Sequence, residues 1–158
     1  MSETSSTRGE RLESLGYPLS ESTPEGDLVE SVRFDGTLAY ASGQVPFLKS
    51  ELVSKGKVPS QVSLEDAQQA AALCAANVLR ALNKKLGSLE KVDRVLRITG
   101  YVNADADFTD AHLVINGASE LVREVFGEDG RHARTALGVA QLPLGASTEI
   151  EMIVRVSE

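Results

Sequence analysis

The stretch that decides the fold is SLEDAQQAAALCAANVLRALNKKLGSLEKVDRVLRITGYV, residues 63–102. Its first part predicts a long helix, because Ser63 followed by Glu65 is a capping-box variant and Gly87 is a typical helix end. Small apolar residues recur at helical spacing between these ends, at Ala67, Ala70, Ala71, Cys74, Val78 and Leu82. Such a stripe lets a helix lie close on a sheet, so we interpret Cys74 as a core residue rather than a reactive thiol.

The second part of this stretch, residues 92–102, predicts a strand rich in β-branched residues. Strict alternation places two sets of side chains on opposite faces: Val92, Leu96, Ile98 and Val102 on one, and Val95, Arg97, Thr99 and Tyr101 on the other. Because both sets contain apolar groups, we expect the sheet to be covered on both sides.

The surrounding sequence completes one α+β domain. Residues 29–34 and 37–43 flank Asp35-Gly36, the strongest short-range signal for a hairpin. The irregular segment 47–61 predicts a loop, residues 108–126 a second helix ending at Gly127, and residues 135–142 and 148–156 the last two strands. The order strand-strand-helix-strand-helix-strand-strand predicts one mixed sheet with both helices on one face.

The opposite face of this sheet needs a partner, because Val95, Tyr101 and Ile153 would otherwise form an exposed apolar patch. Homo-oligomerisation through the sheet is the simplest cover. Residues 1–26 are assigned to an N-terminal extension and residues 27–158 to the domain. Within the extension, Thr7 and Glu10 predict a capping box that begins a short helix before a loop, although a disordered tail to residue 26 fits the sequence nearly as well.

Composition narrows the classes of function. The 158 residues contain 16 Lys and Arg against 23 Asp and Glu, a net charge of −7, with 4% aromatic residues and no Trp. Such a chain lacks both a phosphate-neutralising patch and stacking platforms, which argues against a nucleic-acid partner. One cysteine and no apolar run approaching 18 residues predict a cytoplasmic protein without a membrane segment.

Familiar catalytic motifs are missing from the sequence. It contains no CxxC, HExxH, GxSxG, Walker or strand-linked GxGxxG motif, so metal, acyl-transfer and nucleotide chemistry have no motif support. The two histidines, His112 and His132, would be the acid and base of a ribonuclease if they came together. Nothing in the sequence brings them together, and we interpret them as two unrelated surface histidines.

Two charged groups offer sharper alternatives. Arg131 and Arg134 precede an apolar strand, where they form either a solvated cluster or a guanidinium fork for the carboxylate of a small organic acid. Glu149 and Glu151 share one face of the last strand. They are either a polar edge or carboxylates that hold a water for attack beside a partner subunit.

An ordered set of short segments resembles the RidA/YjgF family of reactive-intermediate deaminases, also called the endoribonuclease L-PSP family. The segments are Ser42-Gly43-Gln44-Val45-Pro46, Asn77, Asp107-Phe108, Asn116, Phe126, Ala133-Arg134-Thr135, Leu142-Pro143 and Glu149-Ile150-Glu151. The resemblance covers about residues 26–157. LESLGYPL near the N-terminus and NGASELVREVFGEDGRHAR are similar to a longer-chain branch of the family without an assigned activity.

The resemblance implies a chorismate-mutase-like fold assembled as a homotrimer, with active-site clefts between subunits. It also implies hydrolysis of 2-aminoacrylate and related enamines or imines to a 2-keto acid and ammonia, with no cofactor and no metal. Carried over by position, Arg134 clamps the substrate carboxylate and Glu149 orients or activates water. Ser42, Gly43, Thr135, Ala136 and Asn116 complete the binding site.

The sequence departs from the deaminases at two positions. Leu28 occupies the place of a tyrosine, and Ala136 that of a frequent cysteine. The lost tyrosine hydroxyl favours, as an alternative, a non-catalytic binder of small carboxylate metabolites. Ribonuclease or translation-inhibitor activity is disfavoured by the acidic charge.

Overall fold

The structure is a computed structural model that describes residues 5–21 and 25–158. Residues 1–4 and 22–24 of the predicted extension lie outside the described residues. The three helices are α1 (Arg8–Ser14), α2 (Leu64–Leu86) and α3 (Ala111–Phe126). The strands are β1 (Val32–Asp35), β2 (Leu38–Gln44), β3 (Phe47–Leu48), β4 (Glu51–Leu52), β5 (Val92–Asn103), β6 (Ala133–Val139) and β7 (Thr148–Val156).

Five strands form one mixed sheet in the order β1-β2-β7-β5-β6. All neighbours are antiparallel except β5 and β6, which are parallel and joined through α3. The helix α2 packs on α3, β7 and β2, while α3 packs on β5 and β6. The predicted fold class, with both long helices on one face of a mixed sheet, is confirmed.

The helix α2 shows why the sequence signals were reliable here. The Ser63 side chain accepts a hydrogen bond from the Asp66 amide, and Gly87 ends the helix in the left-handed conformation at φ 84°. Cys74 is fully buried, its sulfur lies 3.4 Å from the Thr148 hydroxyl, and burial raises the pKa of its thiol to about 12. The interpretation of Cys74 as a core residue is therefore confirmed.

The predicted faces of β5 are wrong at Val95. Register shifts in the β5–β7 pairing mark bulges between Val92 and Arg94 and between Val95 and Arg97. An inserted residue reverses the alternation of side chains. Val95 consequently lies opposite Val154 and is 1% exposed, in the core rather than on the open face.

A missed hairpin and several element boundaries also differ from the prediction. The segment 47–61 contains the short hairpin of β3 and β4, whose turn residues Lys49 and Ser50 adopt positive φ without the usual Asn-Gly signal. The helix α3 begins at residue 111 rather than 108, and β6 spans residues 133–139 rather than 135–142. The first strand begins at Val32, although the Ser31 carbonyl still accepts a backbone hydrogen bond from the Ser42 amide at 2.9 Å.

The short helix α1 is fixed to the domain. The predicted capping box of Thr7 and Glu10 is present. The guanidinium of Arg8 lies 5.0 Å from the centre of the Phe126 ring and bonds to Asp129 at 3.0 Å. Among the helices of the described residues, none combines the length and the apolar character that a membrane crossing requires.

Candidate functional site

Arg134 extends from β6 toward α3, on the helix-covered side of the sheet. Its Nη1 donates to Asn116 Oδ1 at 2.9 Å and to Ser119 Oγ at 3.1 Å, and its Nη2 lies 3.4 Å from the carbonyl oxygen of His112. Its Nε–H has no partner among residues 5–21 and 25–158. The guanidinium is therefore held in place while one donor edge remains for an anion.

His132 lies beside this guanidinium, linked to it through Ser119. Its Nε2 is 2.9 Å from Ser119 Oγ, and its Nδ1 is 2.7 Å from the carbonyl oxygen of Gly130. A carbonyl only accepts, so Nδ1 carries a proton and Nε2 accepts from the Ser119 hydroxyl when the ring is neutral. Burial, followed by the nearby Arg134 and Arg123, lowers the pKa of His132 despite the bond to Gly130.

The interpretation of both histidines as surface residues is wrong for His132, which is half-buried and doubly bonded. His112 is exposed, and it meets Arg134 only through its main-chain carbonyl. Among the described residues, no hydrogen bond joins the two imidazoles.

Glu149 is placed on the other face of the sheet. Its carboxylate lies against Gly43, where a Cβ atom would come within 2.7 Å of Glu149 Oε1. The backbone of β2 bulges between Ala41 and Gln44, which brings Gly43 to this position. Burial raises the pKa of Glu149, and the neighbouring Glu151 raises it further.

A cavity of about 260 Å³ opens beside Glu149. Its lining includes Ser42, Gly43, Val29, Glu30 and Leu144. The Ser42 hydroxyl donates to the carbonyl of Glu30 at 2.6 Å, which ties the segment before β1 to β2. Three predicted site residues, Ser42, Gly43 and Glu149, are thus brought together at one cavity.

Two of the remaining predicted residues lie along β6. Thr135 accepts a hydrogen bond at 2.6 Å from Arg97 and therefore faces the side opposite Arg134. Ala136 is half-buried and packs against the core. Asn116, on α3, contacts Arg134 directly, so Arg134 and Asn116 form one group and Ser42, Gly43 and Glu149 form another, while Thr135 contacts neither Arg134 nor Glu149 through a hydrogen bond among the described residues.

These two groups do not meet within one chain. Tyr101 pairs with Glu149 on one side and with Leu137 on the other, and Leu137 lies three residues beyond Arg134. At ordinary strand spacing this separates the Arg134 and Glu149 Cα atoms by roughly 14 Å, on opposite faces. A site that uses both side chains therefore needs a second chain.

The family model of YjgF and chorismate-mutase-like proteins, candidate endoribonucleases, matches residues 10–155. The chain belongs to the RidA/YjgF family. The resemblance inferred from the ordered segments is confirmed.

Individual relatives of this RidA/YjgF protein match over nearly their whole length. The protein TCP17 of Trypanosoma cruzi is 36% identical over 147 residues, 92% of each chain. A protein of unknown function from Agrobacterium tumefaciens is 40% identical with a TM-score of 0.88, covering 95% of this chain and 92% of that one. A candidate endoribonuclease from Shewanella oneidensis is 25% identical with a TM-score of 0.90, covering 96% and 100%.

Leu28, which the resemblance predicts to stand where the deaminases have a tyrosine, is 96% exposed. It supplies no hydroxyl to the cavity beside Glu149. Sequence reasoning missed the pair of Ser119 and His132, which the crossover from β5 to β6 brings together. The available signal was spacing: Asn116 and Ser119 share one helical face, and His132 and Arg134 share one face of an extended segment.

Proposed function

We propose that the protein hydrolyses small carboxylate-bearing imines and enamines of the 2-aminoacrylate type to a 2-keto acid and ammonia. The main support for this proposal is the environment of Arg134. Asn116 and Ser119 hold its Nη1, while its Nε–H has no partner among the described residues. A guanidinium fixed in this way recognises a carboxylate through paired hydrogen bonds. Family membership supports the chemistry, because RidA/YjgF proteins are known for deaminase and small-molecule binding roles.

The reaction consumes one water. An enamine first takes a proton from solvent at its methylene carbon and becomes the protonated imine. Water then adds to the imine carbon as it gives a proton to Glu149, and Glu149 passes that proton to the amine nitrogen. The C–N bond breaks to release ammonia as the hydroxyl proton leaves to Glu149 and the keto group forms. Glu149 is the general base in this proposal, because its raised pKa makes its carboxylate a better proton acceptor than an exposed one. Arg134 holds the substrate carboxylate through both steps.

The proposed site lies between chains of a homotrimer. Arg134 and Glu149 occupy opposite faces of one sheet, so one chain supplies the clamp and its neighbour the base. The open sheet face, which carries the exposed Tyr40 and the half-buried Tyr101 and Ile153, is available for the contact. Homotrimers are typical of this family.

A second candidate is a non-catalytic binder of small carboxylate metabolites. The observation in its favour is Leu28, which is solvent-exposed where deaminases carry a tyrosine hydroxyl. The Arg134 clamp is independent of that hydroxyl and would still bind pyruvate or 2-oxobutyrate. Binding to the native state alone raises the melting temperature, by an amount that grows with ligand concentration.

The deciding experiment is a coupled assay. A serine/threonine dehydratase generates 2-aminoacrylate, semicarbazide competes for the imine, and pyruvate release is followed with wild type, Arg134→Ala and Arg131→Ala. Arg131 is the matched control, because it is exposed and bonds only to Glu128 at 3.5 Å among the described residues. We expect faster release with wild type and Arg131→Ala, and none above background with Arg134→Ala.

Equal rates for wild type and Arg134→Ala would refute the assignment of Arg134. No acceleration by folded wild type, together with a pyruvate-dependent rise in melting temperature that Arg134→Ala removes, would favour the binder. Neither acceleration nor a thermal shift at millimolar pyruvate would contradict both candidates.

A further inference from the structure

The hydrogen bonds around Ser119 match those of an activated serine. Its Oγ is 2.9 Å from Nε2 of His132, and the other ring nitrogen is 2.7 Å from the Gly130 carbonyl, which orients the imidazole. Nucleophile, base and orienting acceptor within hydrogen-bond reach are the signature of nucleophilic catalysis. The GxSxG motif builds a sharp strand-to-helix turn around a nucleophilic serine. Ser119 lies within helix α3 instead, so a search for that motif does not find it.

We propose that Ser119 and His132 form a nucleophilic centre for acyl transfer, acting on small esters that carry a free carboxylate. This activity goes beyond imine hydrolysis. Its nucleophile is the Ser119 hydroxyl rather than a water activated by Glu149, so it does not require Glu149.

Arg134 gives the pair its electrostatic support. Its Nη1 lies 3.1 Å from Ser119 Oγ, so a positive charge faces the oxygen that becomes negative when the hydroxyl loses its proton. Burial is the main cause that lowers the pKa of His132, and the same cation together with Arg123 lowers it further. These are the charged groups that act on the imidazole among the described residues. The ring is consequently neutral and able to accept a proton near neutral pH.

The surroundings also define the substrate. The Nε–H of Arg134 is free to donate to a carboxylate a few ångströms from Ser119 Oγ. Asn116 accepts from Arg134 through Oδ1, which leaves its amide nitrogen, unpartnered among the described residues, available for the carbonyl oxygen under attack. The side chains of Asn116, Ser119 and Arg134 are all half-buried. The Ser119 hydroxyl is therefore partly shielded from water and still accessible to a substrate.

The steps balance without a cofactor. Ser119 Oγ bonds to the ester carbonyl carbon as its proton passes to His132 Nε2. The tetrahedral intermediate collapses, the bond to the alkoxide breaks, and His132 returns the proton to the leaving alcohol. Water then attacks the acyl-serine with His132 as base. This step releases the acyl group as a carboxylic acid, the second product, and restores the Ser119 hydroxyl.

The first test measures activation without any substrate. In the Ser119→Cys variant, the rate of alkylation by iodoacetamide as a function of pH gives the pKa of the introduced thiol. Cys74 contributes no signal, because it is fully buried and its pKa is about 12. We expect a thiol pKa at least about one unit below the ordinary 8.5, and a return toward that value when His132→Gln is added.

The control is Ser54→Cys, because the Ser54 hydroxyl is also half-buried but pairs with the Ser147 hydroxyl at 2.6 Å instead of an imidazole. A thiol pKa at or above 8.5 for Ser119→Cys, or one unaffected by His132→Gln, would overturn the proposal. Circular dichroism melts of each variant confirm that the compared proteins are folded.

The second test measures the activity with mono-p-nitrophenyl succinate and the neutral p-nitrophenyl acetate as probes. The succinate ester also releases p-nitrophenolate spontaneously, because its own carboxylate attacks the ester, so each rate is expressed as the acceleration over the same ester without protein. Wild type should accelerate the succinate ester at least about tenfold more than the acetate, because only the succinate bears a carboxylate for Arg134. His132→Gln should lower the rate about 100-fold or more, and Ser119→Ala should abolish it. Mass spectrometry should find a succinyl group on the peptide that contains Ser119.

An equal rate for wild type and Ser119→Ala, or a succinyl group found elsewhere, would refute the centre. Because the probes are esters, failure here leaves pyruvate release from 2-aminoacrylate unaffected, and failure of that assay leaves the thiol pKa unaffected.

Discussion

Replacing Gly117 by alanine tests the close packing that positions Asn116 and Ser119. Gly117 lies in α3 against the backbone of α2, and a Cβ there would come within 2.1 Å of the Gln68 carbonyl oxygen. Real Cβ atoms essentially never approach another heavy atom closer than 3.0 Å. The two helices must therefore separate by roughly 1 Å, and main-chain atoms, unlike a side-chain end, cannot rotate away.

Two opposing effects set the magnitude. Alanine is preferred over glycine inside a helix by about 0.5–1 kcal/mol. Overpacking costs typically about 1–3 kcal/mol, and the rigid backbone places this contact at the upper end. The net loss is about 2 kcal/mol, which for a chain of this length lowers the melting temperature by about 4–8 °C.

Calorimetry at matched chain concentration provides the assay, since oligomerisation makes the melting temperature depend on concentration. The control is Gly9→Ala in α1, where the added Cβ would lie 3.0 Å from the terminal Cδ1 of Leu19, which a small rotation relieves, and 4.0 Å from Thr7 Oγ1, an ordinary contact distance. A melting temperature for Gly117→Ala equal to or above wild type would refute the packing argument. A fall of the same size in Gly9→Ala would show that the method does not separate the two contacts.

Three other substitutions give distinct outcomes. Because burial and Glu151 raise the pKa of Glu149, its stabilising contribution is complete below its ordinary pKa of 4.5 and is lost as pH rises through the folded value. Glu149→Gln should therefore flatten the fall in melting temperature over about pH 4–7. Gly43→Ala should displace the Glu149 carboxylate and reduce pyruvate release, whereas Gly9→Ala, in α1 and outside the lining of this cavity, should not. Arg80→Ala removes a 5%-exposed guanidinium that joins α2 to the N-terminal segment, and urea unfolding should show a loss of about 3 kcal/mol or more.

Most of the fold was predictable because its longest elements carry consistent local signals. The strand β7 has the predicted bounds, since strict alternation from Thr148 to Val156 permits one register. The helix α2 begins and ends at its predicted caps. The prediction was wrong where strand pairing, rather than the local sequence, sets the backbone geometry. The bulge in β5 turns Val95 into the core. In the hairpin of β3 and β4, Lys49 and Ser50 adopt positive φ and form the turn without the residues that usually signal one.

The site was predictable as a set of residue types but not as an arrangement. The sequence pointed to Arg134 and Glu149, and the sheet register then placed them on opposite faces. His132 was interpreted as a surface residue because its partner, Ser119, lies thirteen positions earlier on a helix. A contact of this kind depends on how the β5–α3–β6 crossover closes, which no local period encodes.

The donors of Arg134 make the two proposed activities separable. Nη1 donates to Ser119 and Asn116 within the chain, whereas Nε–H has no partner among the described residues. In the proposed reactions the Nε–H binds the substrate carboxylate, and Glu149 comes from a neighbouring chain. Ester hydrolysis should thus depend on Ser119 but not on Glu149. Imine hydrolysis should depend on Glu149, and in Ser119→Ala the guanidinium keeps its bond to Asn116 at 2.9 Å, so that loss should be partial. If Glu149→Gln and Ser119→Ala each abolished both reactions, the separation of the two groups across the sheet would not describe the working protein.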